Sequence, residues 1–208
     1  EHAYGLLMKA LYRRQVSGEG SCIQVSMFES SVSWLTVPIT LNASFNTSIS
    51  RRGNTHEFFC PVSVYQTVNG FVYLAVGNDR QWKSMVGLDP FRSLDQPHYE
   101  KNAGRIADVK HLNEAINAIT RQRTSEDLIE LLRAITVPVS KIKTVAEVIA
   151  DPLVNRRLLW SQDPVSGARI TLAPPPNMTP FLESSQRELS FPPRFGEPGR
   201  GGRGPARR

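Results

Sequence analysis

Apolar positions along the chain fall into two periods, and the places where the period changes mark its elements. Tyr4, Leu7, Met8 and Leu11 recur at helical spacing, and Ser17-Gly18 with Gly20 closes that helix. Ile23, Val25 and Met27 then alternate with Gln24 and Ser26, which predicts a strand. Phe28 to Leu35 reads as a second helix around Trp34, and Pro38 with the polar run Asn42–Ser50 as a mobile crossing. Two β-type runs, Val64–Val68 and Phe71–Val76, flank Asn69-Gly70. That pair suits a type I′ hairpin turn, in which both central residues take positive φ.

Beyond the hairpin the pattern is mainly helical. Gly77-Asn78-Asp79 is a turn and N-cap opening a helix that carries Trp82 and Met85. Asp89-Pro90 and Gln96-Pro97 interrupt the chain, after which Ile106, Val109, Leu112, Ile116 and Ile119 describe one amphipathic helix. Thr124 with Asp127 resembles a capping box before Leu128, Leu131, Leu132 and Ile135. Thr144 with Glu147 repeats the device before Val148 and Ile149, and Asp151-Pro152 stops that helix. Val137-Pro138-Val139 between them is an extended link. Further on, residues 163–167 form a turn, Ile170-Thr171-Leu172 a short strand and Pro174-Pro175-Pro176 an extended segment.

Composition narrows the class without naming a chemistry. The 208 residues are 40% hydrophobic and 21% charged, as an ordinary globular chain is, and no run of about 18 apolar residues exists to span a membrane. Cys22 and Cys60 are too few for a disulfide framework and read as reduced packing residues of a cytoplasmic protein. The net charge of +6 is concentrated at the end: Arg194, Arg200, Arg203, Arg207 and Arg208 face only Glu197. What precedes them is nearly neutral, so charge gives no reason to expect nucleic acid as a partner. The Arg-Gly-Gly-Arg-Gly tail lacks interleaved aromatics and reads as a disordered basic end. His2, His56, His98 and His111 show no spacing that would hold a metal. There is no G-x-S-x-G and no phosphate-binding loop.

From Gly53 to Trp82 the residues Gly53, Asn54, His56, Pro61, Tyr65, Thr67, Gly70, Val72, Ala75, Val76, Gly77, Asn78, Asp79, Gln81 and Trp82 stand in a recognisable order. This stretch resembles class III CoA-transferases, the formyl-CoA transferase and carnitine CoA-transferase family, and the likeness extends from about Leu6 to Glu197. The resemblance implies an α/β fold: the C-terminal part of a Rossmann-like large domain with a small α/β domain, in a family whose subunits interlock as homodimers. It places the end of the large CoA-binding domain and a linker at residues 1–60, the small domain at 61–150, and the return to the large domain with the basic tail at 151–208.

The same resemblance implies coenzyme A, as acyl-CoA, and a carboxylic acid acceptor as partners, with no metal. Met27 falls where the family approaches the CoA adenine. Gly53, Asn54 and His56 fall where it carries a flexible loop over the thioester; this chain has one glycine there, so a multi-glycine lid is not expected. The family's catalytic aspartate would lie a few residues before Glu1, so no catalytic residue is assigned within the chain, which reads as a piece of something longer that is inactive alone. Racemases and isomerases share the fold, and a non-catalytic subunit is a further alternative. The step from Pro61 to Gly70 and the Gly77–Trp82 phrase favour transfer. Near the end, Pro192–Glu197 resembles the family's closing phrase, with Pro198 where histidine is usual.

Overall fold

A computed structural model of the chain describes residues 1–194; the basic tail and the Gly196-Glu197 phrase lie outside the described residues. Helix α1 (His2–Ser17) ends on Gly18, whose φ of 74° is open to glycine without a Cβ penalty and lets its N–H return to the Arg14 carbonyl at 2.8 Å. Helix α2 (Met27–Ser33) is capped by the Ser26 hydroxyl accepting from the Glu29 amide at 3.2 Å.

Two expectations for this region are overturned. The strand predicted at Ile23, Val25 and Met27 does not form: residues 19–26 have no ladder partner, and Met27 is the first residue of α2. A strand needs a neighbour for its amides and carbonyls, and among the described residues every ladder lies elsewhere. Asn42–Ser50 is only in part a crossing, because helix α3 (Thr36–Phe45) runs through Asn42 and closes on Asn46 at φ 50°. Pro38 sits in the first turn of α3, where no intrahelical amide is needed.

The core begins at Cys60. Strands β1 (Val62–Thr67) and β2 (Gly70–Ala75) form the predicted hairpin, with Val62 opposite Ala75 and Thr67 opposite Gly70. Its turn is not type I′, since Gly70 has φ 139° while Asn69 keeps a negative φ. Asn69 is instead held by its side chain: Oδ1 accepts from the Ser125 amide at 2.8 Å and Nδ2 donates to Glu126 Oε2 at 2.6 Å. Helix α4 (Asp79–Val86) follows, with Asn78 Oδ1 capping the Gln81 amide at 2.9 Å. Short 3₁₀ turns at Asp89–Leu94 and Pro97–Tyr99 occupy the two proline breaks.

The single helix predicted from Ile106 to Ile119 is two, α5 (Asn102–Ala107) and α6 (Val109–Thr120). They part at Asp108, whose carboxylate accepts from the Tyr99 hydroxyl at 2.5 Å. Gly104 sits hard against the His98 carbonyl, where a Cβ would come within 1.8 Å of the oxygen. Helix α7 (Ser125–Ala134) is capped by Thr124 accepting from the Asp127 amide. The extended link at Val137-Pro138-Val139 leads into a third strand that the pattern did not predict, β3 (Val139–Ile142), which pairs antiparallel with β2 to give the order β1-β2-β3.

Helices α6 and α7 cover one face of this sheet. Tyr65, Val72 and Leu74 meet Leu112, Ile116, Leu128 and Leu132 there, with Trp82, Met85 and Phe91 filling the adjacent end. Burying each of these large side chains contributes about 1.5–3 kcal/mol.

Helix α8 (Val145–Ala150) carries the full capping box that Thr144 and Glu147 predicted. Helix α9 (Pro152–Asn155) leads to a two-stranded sheet of β4 (Leu159–Gln162) and β5 (Arg169–Leu172), turned at residues 163–167. Helix α10 (Pro180–Ser184) ends the described elements. The β5 strand was legible; β4 was not. By contrast with the core, no residue of α1, α2 or α3 is buried, and Tyr12, Phe28 and Trp34 are each about three-quarters exposed. Among the described residues no helix is long and apolar enough to cross a membrane.

Candidate functional site

Gly53, Asn54 and His56 sit together in one loop between α3 and β1. Thr55 closes it, with both amide and hydroxyl donating to the Arg52 carbonyl at 3.2 and 2.9 Å. Gly53 occupies the left-handed region at φ 62°, which the turn requires and a side chain would resist. Arg52 pairs with Glu57 across the turn. His56 folds back so that its Nδ1 accepts from the Phe58 amide at 3.0 Å, and its ring lies 5.1 Å from Phe59 and 5.9 Å from Phe58 between centroids. The imidazole itself stays exposed. Met27, by contrast, stands 85% exposed on the first turn of α2, away from these loop contacts.

The loop re-enters the core through Phe58-Phe59-Cys60, where a buried clamp grips it. Asn102 reaches it at two points: Nδ2 donates to the Phe58 carbonyl at 2.8 Å, and Oδ1 accepts from the Cys60 amide at 3.0 Å. Arg105 is fully buried and donates through Nε to the Cys60 carbonyl at 2.6 Å, and through Nη1 to the Tyr99 and Glu100 carbonyls. Its Nη2 lies 2.8 Å from Asp79 Oδ1, and its guanidinium carbon lies 5.1 Å from the centroid of the Trp82 ring. Asp79 Oδ1 also accepts from the Asn102 amide at 2.9 Å.

The Gly77–Trp82 phrase is therefore an anchoring device. Asn78 caps α4, Asp79 holds Arg105 and Asn102, and Trp82 forms a wall of the guanidinium pocket. Gln81 joins the Gly77 amide to the Thr136 carbonyl. The Arg105 hydrogen bond keeps the Asp79 carboxyl below its ordinary range, with the Asn102 amide assisting. Burial pushes the Cys60 thiol up to about 11 although the Arg105 charge opposes it.

On its other side the loop meets a groove of about 360 Å³, in which Asn54 faces Tyr65, Asn113, Asn117 and Arg121. The Tyr65 hydroxyl donates to Asn113 Oδ1 at 2.5 Å, and Arg121 Nε donates to Gln66 Oε1 at 3.0 Å. Burial drives the Tyr65 phenol upward, so it remains a donor. A larger cavity of about 870 Å³ lies between residues 162–167 and 185–194, beside Asp163. The Ser166 hydroxyl, with backbone amides, holds the Asp163 carboxyl at about 2. No group of three metal-ligating side chains occurs among the described residues.

Asn102, Arg105, Asn113, Asn117 and Arg121 carried no signal in the sequence. They lie on or just after helices α5 and α6, and the partners that draw them to the loop and to β1 lie about 40 or more positions away along the chain.

Comparison with known proteins decides the affiliation. A model of CoA-transferase family III matches residues 2–197. The chain belongs to CoA-transferase family III.

Among relatives of this family III chain, a succinate–glutarate CoA-transferase of Agrobacterium fabrum is 28% identical over 162 residues, covering 75% of the chain and 39% of the relative. A succinyl-CoA:mesaconate CoA-transferase of Haloarcula hispanica is 27% identical over 190 residues, covering 88% of the chain and 46% of the relative. The crystal structure of a CAIB/BAIF family protein from Brucella suis superposes with a TM-score of 0.68 at 26% identity, over 84% of the chain and 46% of that protein. The family III chain thus spans less than half the length of these relatives, and its mixed α/β architecture is one the Brucella suis structure shares.

Proposed function

We propose that this chain is the C-terminal portion of an acyl-CoA:carboxylate CoA-transferase, and that the reaction's nucleophile belongs to a portion outside it. An aspartate carboxylate there attacks the thioester carbonyl; the C–S bond breaks, and a mixed anhydride forms as the CoA thiolate leaves. The thiolate then attacks the aspartyl carbonyl, releasing the first acid and leaving an aspartyl-CoA thioester. The acceptor carboxylate repeats the sequence in reverse, and CoA ends on the new acid without any change of oxidation state. Dividing one exchange between two poor partners into covalent steps lowers each barrier.

The match across residues 2–197, with relatives named as CoA-transferases, carries this reading. In it Gly53, Asn54 and His56 line the acyl side and Met27 meets the adenine through a soft apolar contact. The exposed apolar side chains between residues 2 and 45 give support, because Tyr12, Phe28 and Trp34, each about three-quarters exposed, are the kind of large apolar groups that other protein covers. In this reading the remainder of the family fold covers it, within a homodimer in the cytoplasm.

The experiment assays CoA transfer from succinyl-CoA to glutarate by the 208-residue chain and by a chimera that adds the portion of the Agrobacterium fabrum relative left unmatched. Transfer is expected from the chimera alone. Turnover by the chain alone would overturn the placement of the nucleophile, and a folded but inactive chimera would overturn the transferase reading.

A further inference from the structure

The loop and its clamp are joined through Phe58, whose carbonyl is held by the clamp and whose amide reaches the His56 ring. Asn102 Nδ2 donates to the Phe58 carbonyl at 2.8 Å, the Phe58 amide donates to His56 Nδ1 at 3.0 Å, and the ring leans on Phe59. A backbone N–H is always a donor, so Nδ1 must hold its lone pair and the ring proton must sit on Nε2. Asn102 is itself held at two further points, and the segment it grips at a third. Its amide is tied to Asp79, its Oδ1 is occupied by the Cys60 amide, and the Arg105 guanidinium fixes the Cys60 carbonyl on the same peptide segment.

We infer that Asn102 is a positioning residue that, by holding the Phe58 carbonyl and the Cys60 amide, fixes the backbone on the far side of the Phe58 Cα from the N–H that presents His56 as an exposed neutral Nε2–H donor. Such a donor suits an oxygen acceptor, a thioester carbonyl or a carboxylate. It does not suit proton abstraction, since its one lone pair is already engaged. The inference rests on the reading of residues 53–56 as the substrate loop.

The experiment is ¹⁵N-histidine NMR of the 208-residue chain at a pH where the ring is neutral, with His56 assigned by its absence from the His56→Ala spectrum. In the wild type the His56 nitrogens are expected to separate fully, Nε2 protonated and Nδ1 bare. Asn102→Ala, which removes both side-chain bonds, is expected to collapse that separation toward a tautomer mixture. Asn102→Asp keeps the acceptor for the Cys60 amide but loses the donor to Phe58, and it is expected to do the same. A wild-type proton on Nδ1 would overturn the inference. So would wild-type nitrogen shifts in either variant with its amide spectrum intact. The measurement involves no CoA chemistry, so its failure and the failure of the transferase reading are distinguishable.

Discussion

Arg105 Nη2 stands 2.8 Å from Asp79 Oδ1 although 26 residues separate them, and the arginine side chain is wholly buried while the aspartate side chain keeps 42% of its exposure. The asymmetry defines the pair: the charge that left water is the cation, and it is compensated by three backbone carbonyls as well as by the carboxylate. Replacing Arg105 by Met strands those carbonyls and is expected to cost about 3 kcal/mol, read from urea midpoints. A loss under about 0.5 kcal/mol would show that the clamp is dispensable.

Asp79→Asn tests the same pair through pH. The folded-state Asp79 carboxyl lies below its ordinary value, chiefly because Arg105 donates to it. Its contribution is therefore fully present above the ordinary carboxylate range and is lost as pH falls toward the folded value. The variant is expected to be about 1 kcal/mol less stable than wild type at neutral pH, a figure reduced for the exposure of the carboxylate. That gap is expected to close in acid. A gap that stayed constant with pH would assign the effect to shape alone.

Asn69→Ala is expected to loosen the hairpin from α7 and to change the titration of Glu126. That carboxyl is held at about 2, first by Asn69 and then by Lys141. Carboxyl NMR should find Glu126 titrating closer to its ordinary value in the variant, with Lys141 still paired. An unmoved titration would mean that Lys141 alone sets it.

Thr136 is a β-branched residue at φ 59°, exposed, at the close of α7. The left-handed region costs such a residue about 1–2 kcal/mol, and the one bond it makes across the fold, to Gln81, uses its carbonyl. Thr136→Gly keeps that bond and is expected to stabilise the chain by about 1 kcal/mol. A lowered melting temperature would refute the account.

Cys22 is exposed, whereas Cys60 is buried with its thiol pushed up to about 11. Iodoacetamide should modify Cys22 first, with Cys60 slower by about a hundredfold until the chain unfolds. Mass spectrometry of the labelled peptides reads the order.

Local chemistry explains which parts of this molecule were legible in the sequence. The pairing of the two runs flanking Asn69-Gly70, the Asn78 and Thr144 caps and the turn at residues 163–167 depend on groups within a few positions of one another, whereas the side chain of Asn69 is held by Ser125 and Glu126 from α7. The readings failed where the partner lay elsewhere. Ile23, Val25 and Met27 alternate as a strand does but find no ladder, and Val139–Ile142 becomes a strand only because β2 offers a free edge.

The order of residues alone carried the family resemblance, through Gly53–Trp82, and it determined those helices whose periodicity or caps are written in neighbouring positions, α1, α2, α4, α7 and α8, but not α3, α9 or α10. Only the tertiary structure decided that the Gly77–Trp82 phrase is an anchor, that Asn102 and Arg105 grip the loop's exit, and that the His56 ring turns its Nδ1 inward. The reason is distance along the chain: Cys60 and Arg105 lie 45 positions apart, and a hydrogen bond over that span leaves no periodic trace in sequence.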